Sequence, residues 1–521
     1  MFVAMKFEEL TKTDIAAAKK IYDDKSLPWD ERVALLMKMF GKSERITRRW
    51  FVALGFKQQK VEESEAFKKA KMRKHDKKKK YFLITWAQNN TPIHKQFFEN
   101  IKAYAAHIDG DIHVIAGRYK NPTSIFIDKK EDYWADEVLP YLDANRHDIH
   151  PYLSILSDVK TQPTASGPLS SIEGISHENS CIIGHPRVHM RVIPVLEGYK
   201  PKVMWTTGAV TVKDYTDSKA GKIGEFHHTL GFVIVEIKDK KVFYCRQVTA
   251  TDKGDFCDLF HQVKGGKVTR VESADTVVLG DVHVGEVDPA IMKLTEEILD
   301  RFKPKSTMVH DVFAGYSISH HDAKDPFKQY RKEVNGTNVL KKEIDNMLEW
   351  IKRMQKHNLV IVRSNHDDFL DRWLASTDWK HNVKNSLEYM EYAKVLLEDR
   401  APNGIIPYII KQNFPKVKTL GLSDRYSRHS WELAQHGHVG SGGSRGSIRQ
   451  FKNWSTKSIT AHSHSPGRMD GAVVVGTMTH LRVGFNVGAS GWMHAHGLLH
   501  HDGKVQHILF IEGGYTTFDK R

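Results

Sequence analysis

The chain has 521 residues, 40% of them apolar, with 78 Lys+Arg against 63 Asp+Glu for a net charge of +15 and a pI near 9.3. That length allows roughly two to four domains with real cores, and the positive surplus favours a polyanionic partner while saying nothing about fold. No apolar run approaches the ~20 residues of a membrane span and no signal-peptide pattern opens the chain, so no membrane role and a cytoplasmic setting are expected. Three scattered cysteines, Cys181, Cys245 and Cys257, exclude a disulfide framework or a Cys-rich zinc site.

The charge is concentrated at the front. Residues 1–80 hold 22 Lys+Arg and 12 Asp+Glu, which is +10 of the +15. Leu10, Ile15, Ala18 and Ile21 predict a first helix over 8–24. A second starts at Ser26-Leu27-Pro28-Trp29, with Ser26 as N-cap and Pro28 in the first turn, carries Val33, Leu36, Met37 and Phe40, and stops at Gly41. Ser43 can cap a third helix over 44–54 that puts Arg45, Arg48 and Arg49 outside and offers Ile46, Trp50 and Phe51 for packing. Two short helices around a glycine-containing turn are a helix-turn-helix layout, and the stretch resembles the small modules of DNA-binding regulators, which makes the three arginines DNA-contact candidates. The run 60–80, ending in Lys77 to Lys80, reads as a solvated linker or helix extension, and its neighbourhood suits a phosphate-tracking arm.

From Tyr81 the pattern changes. Tyr81 to Trp86 reads as a strand, His94 to Ile108 as a helix and Asp111 to Ala116 as a strand, a β-α-β unit. Further strands are expected at Ser180–Ile183, Val203–Thr206, Gly231–Val235 and Lys241–Cys245. His185, His189, His227 and His228 match no metal template. The expected domains are 1–80, a helix-turn-helix module with a basic linker; 81–265, an α/β domain of unassigned role; and 266–521.

The last segment carries five clusters in order: Gly280-Asp281-Val282-His283, His310-Asp311, Ser364-Asn365-His366-Asp367, His436-Gly437-His438 and Ala461-His462-Ser463-His464. The first three follow apolar runs of strand length (276–279, 308–309 and 359–362), the way a sheet delivers ligands to one edge. Two divalent cations roughly 3.5–4 Å apart can clamp the attacking and leaving oxygens of a phosphate ester. Carboxylate, amide and imidazole donors without thiolate suit manganese or iron better than calcium, with zinc as an alternative. Helices are expected near 289–302 and 338–356, and a histidine-rich loop at 317–322.

This order resembles the calcineurin-like metallophosphoesterase family over roughly the last 250 residues, and within it the DNA-repair-type exonucleases. The resemblance implies an α/β architecture with a C-terminal metallophosphoesterase β-sandwich flanked by helices. Carried over by position, Asp281, His283 and His464 would hold one metal and Asn365, His436 and His462 the other, with Asp311 bridging. His366 would face the scissile phosphate, oriented by Asp367. His438 also qualifies at the fourth cluster, but family members with H-G-H use the first histidine. His320 and His321 are candidates to stand over or behind the ligands. The sequence departs from the family pattern at His310, Ser364 and Ala461, where the family has glycine, and at Ala314, where it has an acid.

The combined expectation is a Mn²⁺-dependent deoxyribonuclease carrying its own DNA-gripping module, its two metal ions drawn from Mn²⁺, Fe²⁺ or Zn²⁺. The layout also resembles the pre-early host-DNA-degrading proteins of large tailed phages, which would place it in a host cytoplasm. A phosphatase or cyclic-nucleotide phosphodiesterase, and a DNA-binding regulator with an inactive esterase fold, remain the alternatives. Homo-oligomerisation stays open.

Overall fold

Local signals set the helices of the N-terminal unit, which runs from Met1 to Glu63. Thr11 and Asp14 form a reciprocal capping box at the head of the helix Lys12–Asp23. The next helix is Trp29–Phe40, with Pro28 as its N-cap residue. The expected Ser26 cap is not made, because Asp24 takes both the Ser26 N–H and its hydroxyl, at 3.0 and 2.6 Å. Gly41, at φ 61°, ends that helix in the left-handed conformation only glycine adopts freely. The third helix is Glu44–Ala53. Its buried stripe is Thr47, Trp50 and Phe51, so Ile46 stands off that stripe and is 39% exposed rather than packed. Tyr22, Phe40, Trp50, Phe51 and Phe56 close an aromatic core with Ala18, Val33 and Leu36. Arg45 and Arg49 are exposed, while Arg48 pairs with Glu44 at 2.7 Å.

The structure, a computed structural model, describes residues 6–54, 56, 63–125, 132–483 and 486–517. Residues 60–62 of the charged run therefore lie outside the described residues. From Ser64 the run belongs to the second unit, Ser64–Arg521, and its first part is helical and packed rather than a solvated linker. The helix Glu65–Ala70 buries Phe67 and Ala70, Phe67 stacks on Trp134 at 5.8 Å, and Arg73 donates to Pro140 O, Ile112 O and Asp111.

The second unit is mixed α/β. The β-α-β expectation holds: Tyr81–Gln88 pairs parallel with Gly110–Gly117 across the helix Lys95–Ile108. They sit in a five-stranded sheet ordered Phe243–Thr249, Gly231–Ile237, Tyr81–Gln88, Gly110–Gly117, Leu142–Asp143. A six-stranded sheet runs Lys418–Leu420, Leu359–Val362, Ser306–His310, Thr276–Val278, Ala495–Leu499, Val505–Leu509. Its first four strands are parallel and the last two antiparallel.

A ten-stranded sheet lies against both. Its strands Ser427–Arg428, Trp431–Glu432, Lys457–Thr460, Ala472–Val474 and Gly467–Met469 continue into His189–Ile193, Lys202–Thr206, Ser180–Ile183, Leu153–Leu156 and Arg146–His150. Ile459, Val473 and Trp431 share a buried cluster with Val278, Met308 and Val360 of the six-stranded sheet, and Ile155, Ile182 and Trp205 share another with Phe82, Ile84 and Val233 of the five-stranded one. Strands from either side of residue 266 thus join in one sheet, with Arg468 opposite Met190. The other face of the six-stranded sheet is covered by the helices Pro289–Phe302, Leu340–Met354 and Asp367–Ser376. Among the described residues no helix is long and apolar enough to cross a membrane, and the three cysteines are buried and unpaired.

Candidate metal centre

Three parallel strands, Thr276–Val278, Ser306–His310 and Leu359–Val362, lead into Asp281, Asp311 and Asn365 at one edge of the six-stranded sheet. The two histidine loops arrive from the facing sheet, after Trp431–Glu432 and Lys457–Thr460. Backbone packing accounts for the glycine of the first cluster: a Cβ on Gly280 would stand 2.8 Å from Thr477 N and 2.9 Å from Ala495 O. Gly437, between the two histidines of the fourth cluster, has φ 112°. Four side chains leave from left-handed backbone, His283 (φ 47°), Asp311 (φ 49°), His462 (φ 70°) and His464 (φ 57°). Each such residue costs on the order of 1–2 kcal/mol and persists only where its surroundings enforce it. Here they do, through His283 N–H to Asp311 O at 2.7 Å, Met493 N–H to His464 O at 3.0 Å and, beside His462, Ala461 N–H to His436 O at 2.7 Å.

The side chains converge. Asp281, His283, Asp311 and His464 are all buried, with donor atoms within 4.8 Å of one another. His283 Nε2 faces His464 Nε2 at 3.1 Å, and His464 Nε2 lies 3.2 Å from Asp281 Oδ2. Asp311 Oδ2 sits 3.4 Å from His283 Nε2 and 3.2 Å from His436 Nε2, so one carboxylate touches both halves of the cluster. His436 Nε2 is also 3.0 Å from Asn365 Oδ1. The His462 ring lies 5.1 Å from that of His436, and His438 flanks His436 at 5.3 Å.

The donor set fits a cation. Neither oxygen of Asp281 nor Oδ1 of Asp311 makes a hydrogen bond, although Asp281 is 0% and Asp311 1% exposed. Buried carboxylate oxygens left this way cost several kcal/mol unless a positive charge meets them. Burial drives His283 well below its ordinary range and pushes His462 to about 3 and His438 to about 4, leaving the neutral rings that ligation needs. Burial opposes ionisation of Asp311, but the imidazoles of His436, His366 and His283 outweigh it and hold the carboxyl well below the carboxylate range. His436 moves the other way, to about 9, because Asp311 and Asp281 outweigh its burial. A cation beside Asp311 would compete with that proton.

His366 lies beside the cluster, its ring 4.4 Å from that of His283. It is not held by Asp367. Its Nδ1 donates to Ala314 O at 2.6 Å, from the position where the family pattern has an acid, and Phe369 stacks on the ring at 4.5 Å. Asp367 turns back to accept the Ser364 N–H at 2.9 Å, and burial raises its carboxyl to about 7. His320 and His321 are exposed and pack over Phe369, at 4.9 and 5.8 Å. His310 is fully buried 5.6 Å from His436, with neither ring nitrogen hydrogen-bonded.

His496, on the strand Ala495–Leu499, supports the site from behind. His496 Nδ1 accepts the Gly280 N–H at 3.0 Å. Its Nε2 therefore carries the proton and donates to Thr295 Oγ1 at 2.8 Å, which in turn donates to Ile291 O. That chain ties the Asp281 loop to the helix behind the sheet. A cavity of about 700 Å³ opens beside His462 and Ser463, with Arg191, Arg449 and Lys452 among its lining residues.

The chain is 28% identical over 480 residues to Protein A1 of Escherichia phage T5, covering 84% of this chain and 83% of that protein. It is related to a phage protein. No protein-family model matches the chain, and no solved structure matches it.

Proposed function

We propose that the chain is a metal-dependent deoxyribonuclease of the calcineurin-like metallophosphoesterase type, acting on host DNA during phage infection. The observation that carries the reading is Asp311, a buried carboxylate placed against imidazoles of both halves of the cluster. Asp281, His283 and His464 would hold one ion, Asn365, His436 and His462 the other, and Asp311 both. Divalent ions so held neutralise phosphate charge and make water a better nucleophile. Manganese suits this mixed oxygen and imidazole set.

The chain's own contribution at the scissile bond is His366. With Nδ1 committed to Ala314 O, its Nε2 is the atom left to hydrogen-bond the phosphate or the leaving oxygen. Phe369 keeps the ring from turning away. Arg191, Arg449 and Lys452 of the adjoining cavity suit a phosphate backbone, and Arg45, Arg48 and Arg49 supply a second basic surface on the N-terminal unit.

The test offers the purified full chain linear duplex, supercoiled DNA and p-nitrophenyl phosphate, with Mn²⁺ or with a chelator. Cleavage of DNA by the Mn²⁺-loaded protein alone is expected. Hydrolysis of only the small ester would replace DNA by a small-molecule substrate, and no hydrolysis of any would leave a binding protein.

A further inference from the structure

A second buried group of imidazoles and carboxylates lies in the unit Ser64–Arg521, and the proposed hydrolysis makes no use of it. Its members are His113 on the strand Gly110–Gly117, Asp143 on Leu142–Asp143 and His147 on Arg146–His150, all buried with donor atoms within 4.8 Å of one another. His113 Nδ1 stands 3.0 Å from Asp143 Oδ2, and His147 Nε2 stands 2.9 Å from the same oxygen. A third imidazole, His75, faces His147 with ring centroids 5.5 Å apart.

The place is a sheet corner. Leu142–Asp143 is the edge strand of the five-stranded sheet and Arg146–His150 the edge strand of the ten-stranded one, so the chain changes sheets between Asp143 and Arg146. His75 comes from the segment that follows the helix Glu65–Ala70. Three strands meet around one carboxylate, and the fourth stretch brings His75 against His147.

The surroundings have the form of a metal site's outer layer. His113 Nε2 donates to Asp111 Oδ2 at 2.9 Å, and Asp111 is anchored by Arg73 at 3.2 Å. A ligating imidazole characteristically gives its other N–H to a carboxylate in this way. Asp143 is itself steadied by the Asn145 N–H and the Ser157 hydroxyl, at 3.0 and 3.2 Å. Both nitrogens of His113 thus face carboxylate oxygens while the ring is 0% exposed. Either the ring is a fully buried imidazolium, or Nδ1 shares a cation with Asp143 and stays neutral. Zinc-bound donors at ~2.0–2.1 Å lie about 3.3 Å apart in a tetrahedron, so the two distances that meet at Asp143 Oδ2 need to open by only a few tenths of an ångström.

We propose that His113, Asp143 and His147 form a structural zinc site stapling the two sheet edges at this corner, with its fourth position toward His75. Three imidazoles around one carboxylate suit zinc, whose structural sites are tetrahedral and closed.

The test uses the full chain with its first centre disabled by Asp281→Ala, Asp311→Ala and His436→Ala, which take donors from both proposed ions, stripped with chelator and titrated with Zn²⁺ alone. One equivalent of zinc is expected by mass spectrometry, together with a melting temperature that rises with zinc. In that background His147→Gln can still hydrogen-bond Asp143 but offers no imidazole, so it should lose the equivalent and the zinc response together. Equal zinc binding with and without this substitution overturns the site, as does a parent that binds none, which would make the cluster a hydrogen-bonded network only. Should His147→Gln fail to fold, Asp111→Asn keeps all three donors and should weaken zinc about 10–100-fold. Unchanged affinity in that variant overturns the proposal as well. None of these readouts involves DNA cleavage, so they stand apart from the nuclease reading.

Discussion

The two buried clusters use the same residue types at similar spacing and differ in how their polar atoms are satisfied. Around Asp281 and Asp311 the donors stand on loops, four of them in left-handed backbone, and three carboxylate oxygens have no hydrogen bond. Around Asp143 the donors stand on or beside regular strands and both oxygens are met, Oδ1 by Asn145 and His147, Oδ2 by His113 and Ser157. Residue type alone would rank the clusters together. Satisfaction separates them: the first is costly as a bare protein site and opens beside a cavity, while the second is closed and nearly content without an ion. That difference is what the proposed division rests on, turnover at the first and a strand-holding ion at the second.

The largest effect expected from that contrast is at Asp311. Asp311→Asn removes the charge that touches both halves of the first cluster, and DNA cleavage should fall by about 10³-fold or more with the fold intact by circular dichroism. Asp143→Asn, the matching change in the second cluster, should leave Mn²⁺-dependent cleavage within about twofold while lowering the melting temperature. If the two variants exchanged phenotypes, the division between a reactive and a structural cluster would be reversed.

Next comes His366. Its nitrogen is tied to Ala314 O rather than to a donor oxygen of the cluster. His366→Ala should therefore retain bound manganese and near-normal DNA affinity yet lose about 10²–10⁴-fold in turnover, the usual range for a positioned acid or base. Loss of one metal in mass spectrometry would make His366 a ligand, and full activity would make it a bystander.

What the sequence made legible follows from locality. The strands before Asp281, Asp311 and Asn365 were readable because an apolar run and the polar residues that end it are neighbours in the chain. The ten-stranded sheet was not, because its pairing of Arg468 with Met190 joins distant segments whose strands carry no mutual signal. Asp367 was misjudged for a geometric reason: it opens a helix, and successive helical side chains point about 100° apart, so it cannot reach the ring of the residue before it. His496 lay hidden among the apolar neighbours of Ala495–Leu499, since its bond to Gly280 depends on which strand lies alongside. The second cluster was missed for the same reason, its members arriving from separate strands.

Another buried carboxylate calibrates both clusters. Asp275, 1% exposed, lies just before the strand that leads to Asp281, and its countercharge is the chain's own, with Arg428 at 2.8 and 2.6 Å and His429 at 3.2 Å. Burial opposes its ionisation, but Arg428 and Thr276 prevail and lower it to about 2. A carboxyl depressed in the folded state stabilises above its unfolded pKa, near 4, and loses that contribution as pH falls through about 2. Asp275→Asn should therefore cost about 2 kcal/mol at pH 7, a cost that disappears between pH 4 and pH 2 in denaturant titrations. Metal content should not change. A pH-independent cost would mean that packing, not charge, is what Asp275 supplies.

The smallest expected effect lies on the N-terminal unit, which contains neither cluster. Arg45 and Arg49 are exposed and form no salt bridge among the described residues, whereas Arg48 is engaged by Glu44 at 2.7 Å. If this helix touches DNA phosphates, each arginine contributes about 0.9 to the slope of log affinity against log salt on duplex DNA. The double variant Arg45→Ala with Arg49→Ala should lower that slope by about 1.8. Arg48→Ala should lower it by less, because the wild-type side chain must first leave Glu44. Metal content and hydrolysis of a small phosphodiester should stay at wild-type levels in all of them, since the charge acts on encounter with the polyanion and not on the reacting phosphate. An unchanged slope in the double variant would reduce these arginines to solvated surface and leave the cations of the cavity beside His462 to hold the nucleic acid.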